Sequence, residues 1–213
     1  DDWIEEDFIQ KLIGQLENDG ADIACVGFDY VYGDKQEIPV RAMKSVKMNQ
    51  EQCMGQLCRN KWFTSHVWNK LYRKKVFEHV RFPYGDNYED IAIMHELIMR
   101  ADIIACSDEI LYHYFMRQES IIHLKSAKNE MDNFRAYLKR FRAVNDWRWK
   151  RNALKCCAWA AYQILFLSEN KFGKTEYREV LCFWKDNSTI RFLGIKYGLM
   201  YTFPRIYKRC LCR

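Results

Sequence analysis

The chain has few of the residues that interrupt regular structure, with three prolines and nine glycines in 213 residues. That count excludes a collagen-like or low-complexity chain and predicts regular elements joined by few long loops. Nine cysteines are present, but no two stand as C-x-x-C, which removes zinc-ribbon and thioredoxin-like readings. Cys156 and Cys157 are adjacent and cannot bridge each other without strain. Reduced thiols in a cytosolic protein are therefore expected. An H-E-x-x-H pair, a Gly-rich phosphate loop and a G-x-S-x-G elbow are also missing. The histidines, His66, His79, His95, His113 and His123, have no partner at metal-ligand spacing. They read as surface or satisfied core residues, with His123 the one to watch beside Ser120 and Ile121. The most hydrophobic stretch, Ala153 to Ser168, is short for a bilayer span and contains Lys155.

What is present describes a folded chain. Apolar residues make up 49% and aromatics 15%, enough for a sizeable core in one or two domains. Charge divides the chain: residues 1–124 carry 14 Lys and Arg against 21 Asp and Glu, whereas residues 125–213 carry 20 against 7. A boundary near Lys125 follows from this shift. Ile190 to Arg213 holds six cations and no acid, interleaved with Phe192, Ile195, Tyr197, Leu199 and Tyr201. That mixture suits the headgroup region of an anionic membrane. No nucleic-acid-binding module is legible, so a nucleic acid partner is not expected.

Periodicity predicts a helix from Trp3 to Glu17, with Ile4, Phe8, Leu12 and Leu16 on one face and Gly20 as its left-handed stop. Ala21 to Tyr32 is β-rich and leads through Gly33-Asp34 to Ile38-Pro39-Val40, which suggests a hairpin or meander. Asn49 is positioned to cap a helix from Gln50 to Asn60. Short helices are expected over Tyr72–Val80 and Asp90–Arg100, and two strands over Ile103–Cys106 and Leu111–Phe115. Beyond Lys125 the pattern is helical, over Asn129–Asn145, Arg148–Ser168 and Lys174–Lys185.

The segment richest in chemistry is Val67 to Met99. An aromatic-Asn-Lys run leads through a basic turn and a Phe-Pro-x-Gly loop to Tyr88-Glu89-Asp90, where two carboxylates open an apolar helix. Acids there suit the positive end of the helix macrodipole and its free N–H groups, so capping alone explains the pair. The ordered string says more. Trp68, Asn69, Lys70, Leu71, Tyr72, Arg73, Lys74, Arg81, Phe82, Gly85, Tyr88, Glu89 and Asp90 match the pattern W-N-K-L-Y-(R/K)-K…R-F-x-x-G-x-x-(Y/F)-E-D. In this the chain resembles the C-terminal half of the nucleotide-sugar-binding domain of bacterial family 2 glycosyltransferases. Asp1-Asp2-Trp3-Ile4 with Phe8 is similar to the end of that family's D-x-D segment. Leu111, Tyr112, Tyr114, Arg117, Ser120 and Ile121 follow its L-Y-x-Y-R-x-R-x-x-S-I, with Phe115 in place of an Arg and Glu119 in place of a Gly.

The resemblance implies an α/β fold: the acceptor-side part of a GT-A-like domain over residues 1–124, followed by a basic helical extension over 125–213. It implies hexosyl transfer from a nucleotide-diphospho-sugar to a saccharide or lipid-linked acceptor in surface polysaccharide synthesis. Asp90 would be the general base and Glu89 its neighbour on the acceptor. Trp68, Asn69 and Lys70 would line the substrate cleft, Arg117 and Ser120 would meet the pyrophosphate, and Asp1 would hold a divalent Mn or Mg ion. It further implies a cytoplasmic protein, peripheral on the inner face of the plasma membrane. If Asp1 is the second Asp of the D-x-D motif, the nucleotide-binding strands precede this sequence, which then reads as a fragment. The alternative is a non-catalytic remnant that binds an anionic membrane or partner through its basic helices.

Overall fold

A computed structural model describes residues 1–32, 37–39, 44–60, 62–116 and 126–202. The chain divides into two compact units. The first comprises Asp1–Gly85 with Glu89–Leu124, and the second Asp86–Tyr88 with Lys125–Arg213.

The first unit is built on two long parallel strands, β2 (Ile23–Val31) and β6 (Ile103–Phe115), paired from Ile23 opposite Ile104 to Val31 opposite Phe115. Four short antiparallel strands flank them. Beside β6 lie β4 (Val46–Asn49), opposite Ile103–Cys106, and β1 (Trp3–Ile4), opposite Tyr112 and His113. Beside β2 lie β5 (Lys70–Tyr72), opposite Ile23–Cys25, and β3 (Glu37–Pro39), opposite Asp29–Val31. The β2–β3 pairing is the expected hairpin, whose turn lies outside the described residues. Helix α1 (Phe8–Asn18) buries Phe8, Leu12 and Leu16 against Ala24, Val26, Ala105 and Leu111. Gly20, at φ 64°, takes the left-handed conformation that lets the chain turn into β2. Helix α2 (Gln50–Arg59) begins with the capping box that Asn49 announces: Asn49 Oδ1 accepts from the Gln52 amide at 2.9 Å, and Gln52 Oε1 accepts from the Asn49 amide at 3.0 Å. Helix α3 (Glu89–Ile98) buries Met94, Leu97 and Ile98, with Ala92, Ile93 and His95 beside them.

Three elements differ from the sequence reading. Trp3 and Ile4 are strand instead of helix, because their pairing with β6 continues to the Glu5 amide, which donates to Leu111 O at 3.0 Å. Residues 70–72 are strand, and only Lys74–Phe77 coils, as a 3-10 turn. Tertiary bonds explain this: Arg73 donates to Leu16 O at 2.6 Å and to Ala21 O at 2.9 Å, tying the segment to the end of α1. Finally, Ser107-Asp108-Glu109 does not divide β6. A bulge at Gly27 absorbs the irregularity. The polar run finds partners in Ser45, whose hydroxyl donates to Asp108 at 2.6 Å, and in Lys11, whose ammonium donates to Glu109 at 2.7 Å.

The second unit is helical: α4 (Ala127–Ala143), α5 (Trp147–Tyr162), α6 (Lys174–Asp186) and α7 (Ile195–Thr202). Ser126 caps α4 by accepting from the Asn129 amide at 3.1 Å, and Asp146 caps α5 by accepting from the Arg148 amide at 2.8 Å. The expected long second helix ends at Tyr162 and continues as one wide π turn, Gln163–Leu167. Phe134, Leu138, Leu154, Cys157, Val180 and Phe183 are among its core residues. Among the described residues, no helix is long and apolar enough to cross a membrane.

Candidate active site

The C-terminal halves of β2 and β6 carry Phe28, Tyr30, Tyr112 and Tyr114, and strand alternation places these rings on a common wall. Trp68 lies on it: its ring stacks on Tyr112 at 4.2 Å between centroids and on His66 at 4.8 Å, and meets Phe28 edge-on at 4.6 Å. Ligands of open α/β sheets bind beyond the C-terminal ends of such strands, so this wall is positioned for a sugar or a base.

Asn69 and Lys70 follow Trp68 into the interior, at 1% and 6% exposure. Asn69 Nδ2 donates to Val26 O at 2.7 Å, and Lys70 Nζ donates to Asn69 Oδ1 at 2.9 Å and to His66 O at 2.5 Å. A buried ammonium is tolerated only when its donors are satisfied, and these bonds lock the Trp68 loop onto β2. Burial, with the Lys70 cation nearby, pushes the His66 imidazole down to about 4, so it stays neutral at physiological pH. Three buried thiols stand behind this loop. Cys53 is pushed well up by burial, and Cys106 by its hydrogen bond to Cys25 and by burial, so both stay protonated and unreactive.

Glu89 and Asp90 stand together at the start of α3, Glu89 exposed and Asp90 half-buried. Asp90 Oδ1 accepts from the Ile91 amide at 2.6 Å. Tyr88, just before them, has φ 59°, a left-handed conformation uncommon for a bulky residue and one that recurs at functional sites. Asp90 stands beside β5: the Tyr72 phenol is raised well above its ordinary range by burial first, then by Cys25, Asp90 and Cys53.

Asp1 and Asp2 immediately precede β1, which pairs with β6. Asp2 is engaged by its own fold: Tyr112 Oη donates to Asp2 Oδ2 at 2.7 Å, and the Phe115 amide donates to Oδ1 at 3.0 Å. Asp1 is exposed. Among the described residues no group of three His, Cys, Asp or Glu could hold a metal ion. Mg is commonly held by only one or two carboxylates, with water and substrate phosphates completing its oxygen shell, so Asp1 fits as one ligand of such a site. Arg117 and Ser120 lie outside the described residues.

His113, expected with the other histidines as a surface or satisfied core residue, is the latter. It is buried, its Nδ1 lies 2.8 Å from Asp29 Oδ1 and its Nε2 2.9 Å from Glu5 Oε1, and Trp3 stacks on the ring at 5.0 Å. The Tyr112-His113-Tyr114 alternation sends the middle side chain to the face opposite the aromatic wall.

Comparisons with known proteins agree with this geometry. Residues 1–81 match the family model described as glycosyl transferase family 2. Over 139 residues the chain is 25% identical to the glycosyltransferase GlyA of Streptococcus pneumoniae serotype 4, covering 60% of this chain and 20% of that protein. Its fold is similar to S. aureus TarS 1–349, solved in complex with UDP-GlcNAc (TM-score 0.56, 11% identity) and with UDP (TM-score 0.55, 12% identity). Those matches cover 98% of this chain and 62% and 61% of the solved chains, so the chain spans about three-fifths of their length. The architecture is GT-A-like, and the segment 1–81 is similar to the family 2 glycosyltransferases.

Proposed function

We propose that residues 1–124 form the acceptor side of a domain that transfers a hexosyl group from a nucleotide-diphospho-sugar to a saccharide acceptor in surface polysaccharide synthesis. The acceptor hydroxyl attacks the anomeric carbon from the face opposite the leaving diphosphate. The new C–O bond forms as the old one breaks, and the diphosphate leaves with its electron pair. Asp90 takes the hydroxyl proton, a role open to a carboxylate within hydrogen-bond reach of the acceptor. Glu89 holds the acceptor beside it. The observation that carries this reading is the Tyr88-Glu89-Asp90 corner: an uncommon left-handed tyrosine turns two carboxylates out at a helix start, one exposed and one half-buried.

Trp68 supplies the stacking surface, and Asn69 and Lys70 act by holding its loop, since their polar atoms point to Val26, His66 and each other. Arg117 and Ser120 are the proposed pyrophosphate contacts. Asp1 is one proposed carboxylate ligand for Mn or Mg; the cation would neutralise diphosphate charge when bound. The helical unit 125–213, with its excess of Lys and Arg, would hold the protein peripherally to the anionic inner face of the plasma membrane. No nucleic acid takes part.

The test is transfer of a labelled hexosyl group by the full-length protein. UDP-GlcNAc is the first donor to try, because TarS was solved with it. A product with inverted anomeric configuration supports the reading; a retained configuration, or no transfer from any nucleotide-sugar, overturns it. A second reading, a non-catalytic chain that binds an anionic membrane or partner through its basic helices, is favoured by the 20 Lys and Arg against 7 Asp and Glu over residues 125–213.

A further inference from the structure

The helical unit contains a cavity of about 360 Å³ walled by Phe141, Leu154, Phe192 and Leu193, with Lys150 and Arg151 as its cations and no acidic residue in its lining. The pocket lies where α5 meets the turn Ser188–Phe192. Lys150 Nζ donates to Phe141 O at 2.6 Å and stands 4.3 Å from the centre of the Phe141 ring. Arg151 Nη2 donates to Phe192 O at 3.0 Å. Among the described residues neither cation has a carboxylate partner, whereas Lys128, Arg135 and Arg148 of the same unit are ion-paired with Asp132, Glu179 and Asp146. Burial lowers the Lys150 ammonium from its ordinary value with no anion to offset it. Phe192 is 65% exposed and Ile195 is 85% exposed.

An apolar cavity calls for a hydrocarbon, and two uncompensated cations at its edge call for an anion. A molecule that is both at once is an amphiphile with a charged head. We propose that this pocket takes one acyl chain of an anionic phospholipid, whose phosphate lies between Lys150 and Arg151 while Phe192 and Ile195 enter the surrounding headgroup layer. Aromatic and aliphatic side chains beside Lys and Arg are the composition that interfacial segments use. The proposal deepens the peripheral-membrane part of the function proposed above by naming the site that holds the lipid.

The test is co-sedimentation of the full chain with phosphatidylglycerol vesicles and with phosphatidylcholine vesicles. Three variants are compared with wild type, each shown to be folded by its thermal melt. Lys150→Gln/Arg151→Gln removes the anion contacts. Thr189→Trp obstructs the pocket from an exposed lining position. Lys171→Gln/Lys174→Gln removes the same charge from exposed positions outside the lining. Wild type should prefer phosphatidylglycerol; the first two variants should lose about tenfold or more in affinity, and the third much less. Equal losses in both double-charge variants, with Thr189→Trp unchanged, would overturn the pocket and leave a diffuse membrane attraction. No wild-type binding to phosphatidylglycerol would overturn the pocket and the peripheral-membrane reading together.

Discussion

Tyr112 donates its phenolic proton to Asp2 across 2.7 Å, joining a β6 residue of the aromatic wall to the segment that enters beside Asp1. The phenol is raised above its ordinary range, by burial first and then by the Asp2 carboxylate, so the bond persists throughout the physiological range. Tyr112→Phe keeps the ring under Trp68 and removes only the donor. Global stability should fall by no more than about 1 kcal/mol, as for a single exposed hydrogen bond. Amide exchange at Glu5 and Phe115, whose N–H groups bond to Leu111 O and Asp2 Oδ1, should quicken. Unchanged exchange at both amides would show that β1 is held without this bond.

His66 gives the first unit an acid sensitivity. Its imidazole falls from 6.5 to about 4 in the folded chain, so between those values the unfolded state binds the proton and the folded state does not. Stability is then complete above pH 6.5 and declines as pH falls toward 4, by on the order of 3 kcal/mol. His66→Phe retains an aromatic face for Trp68 and should flatten that decline. Urea unfolding at a series of pH values checks it, and an identical slope in wild type and variant would contradict it.

Gly27 fits β2 to the bulge in β6. A Cβ there would stand 2.9 Å from the Glu109 carbonyl oxygen and 3.3 Å from its carbon, both backbone atoms. Gly27→Ala must therefore push the two central strands apart, at a cost of about 1–3 kcal/mol. A variant that unfolds at the same denaturant concentration as wild type would show that the strands yield freely.

Much of this fold was legible because its signals are local. Asn49 with Gln52 is a capping box in sequence and in space, and Phe8, Leu12 and Leu16 of the α1 stripe are buried as their spacing demands. The misread elements are those decided by distant partners. Trp3 is strand because β6 lies beside it, and Tyr72 is strand because Arg73 reaches carbonyls more than fifty residues earlier. The site follows the same rule. Glu89 and Asp90 are adjacent in sequence, so their shared place at the start of α3 is legible there, whereas the His113 contacts to Asp29 and Glu5 span 84 and 108 residues and the local alternation gives only the face on which His113 lies. Asn69 and Lys70 were legible as important, but only their burial points to holding the loop as their means.

The central claim is that Asp90 receives the acceptor proton, and the most direct measurement is the transfer rate of Asp90→Asn in a full-length form with measurable transfer, alongside its affinity for the donor. The substitution keeps an oxygen that can accept from the Ile91 amide and removes the base. The rate should fall by about a hundredfold to ten-thousandfold, with donor affinity nearly unchanged. Transfer at the wild-type rate would contradict the account and leave Asp90 as the cap of α3.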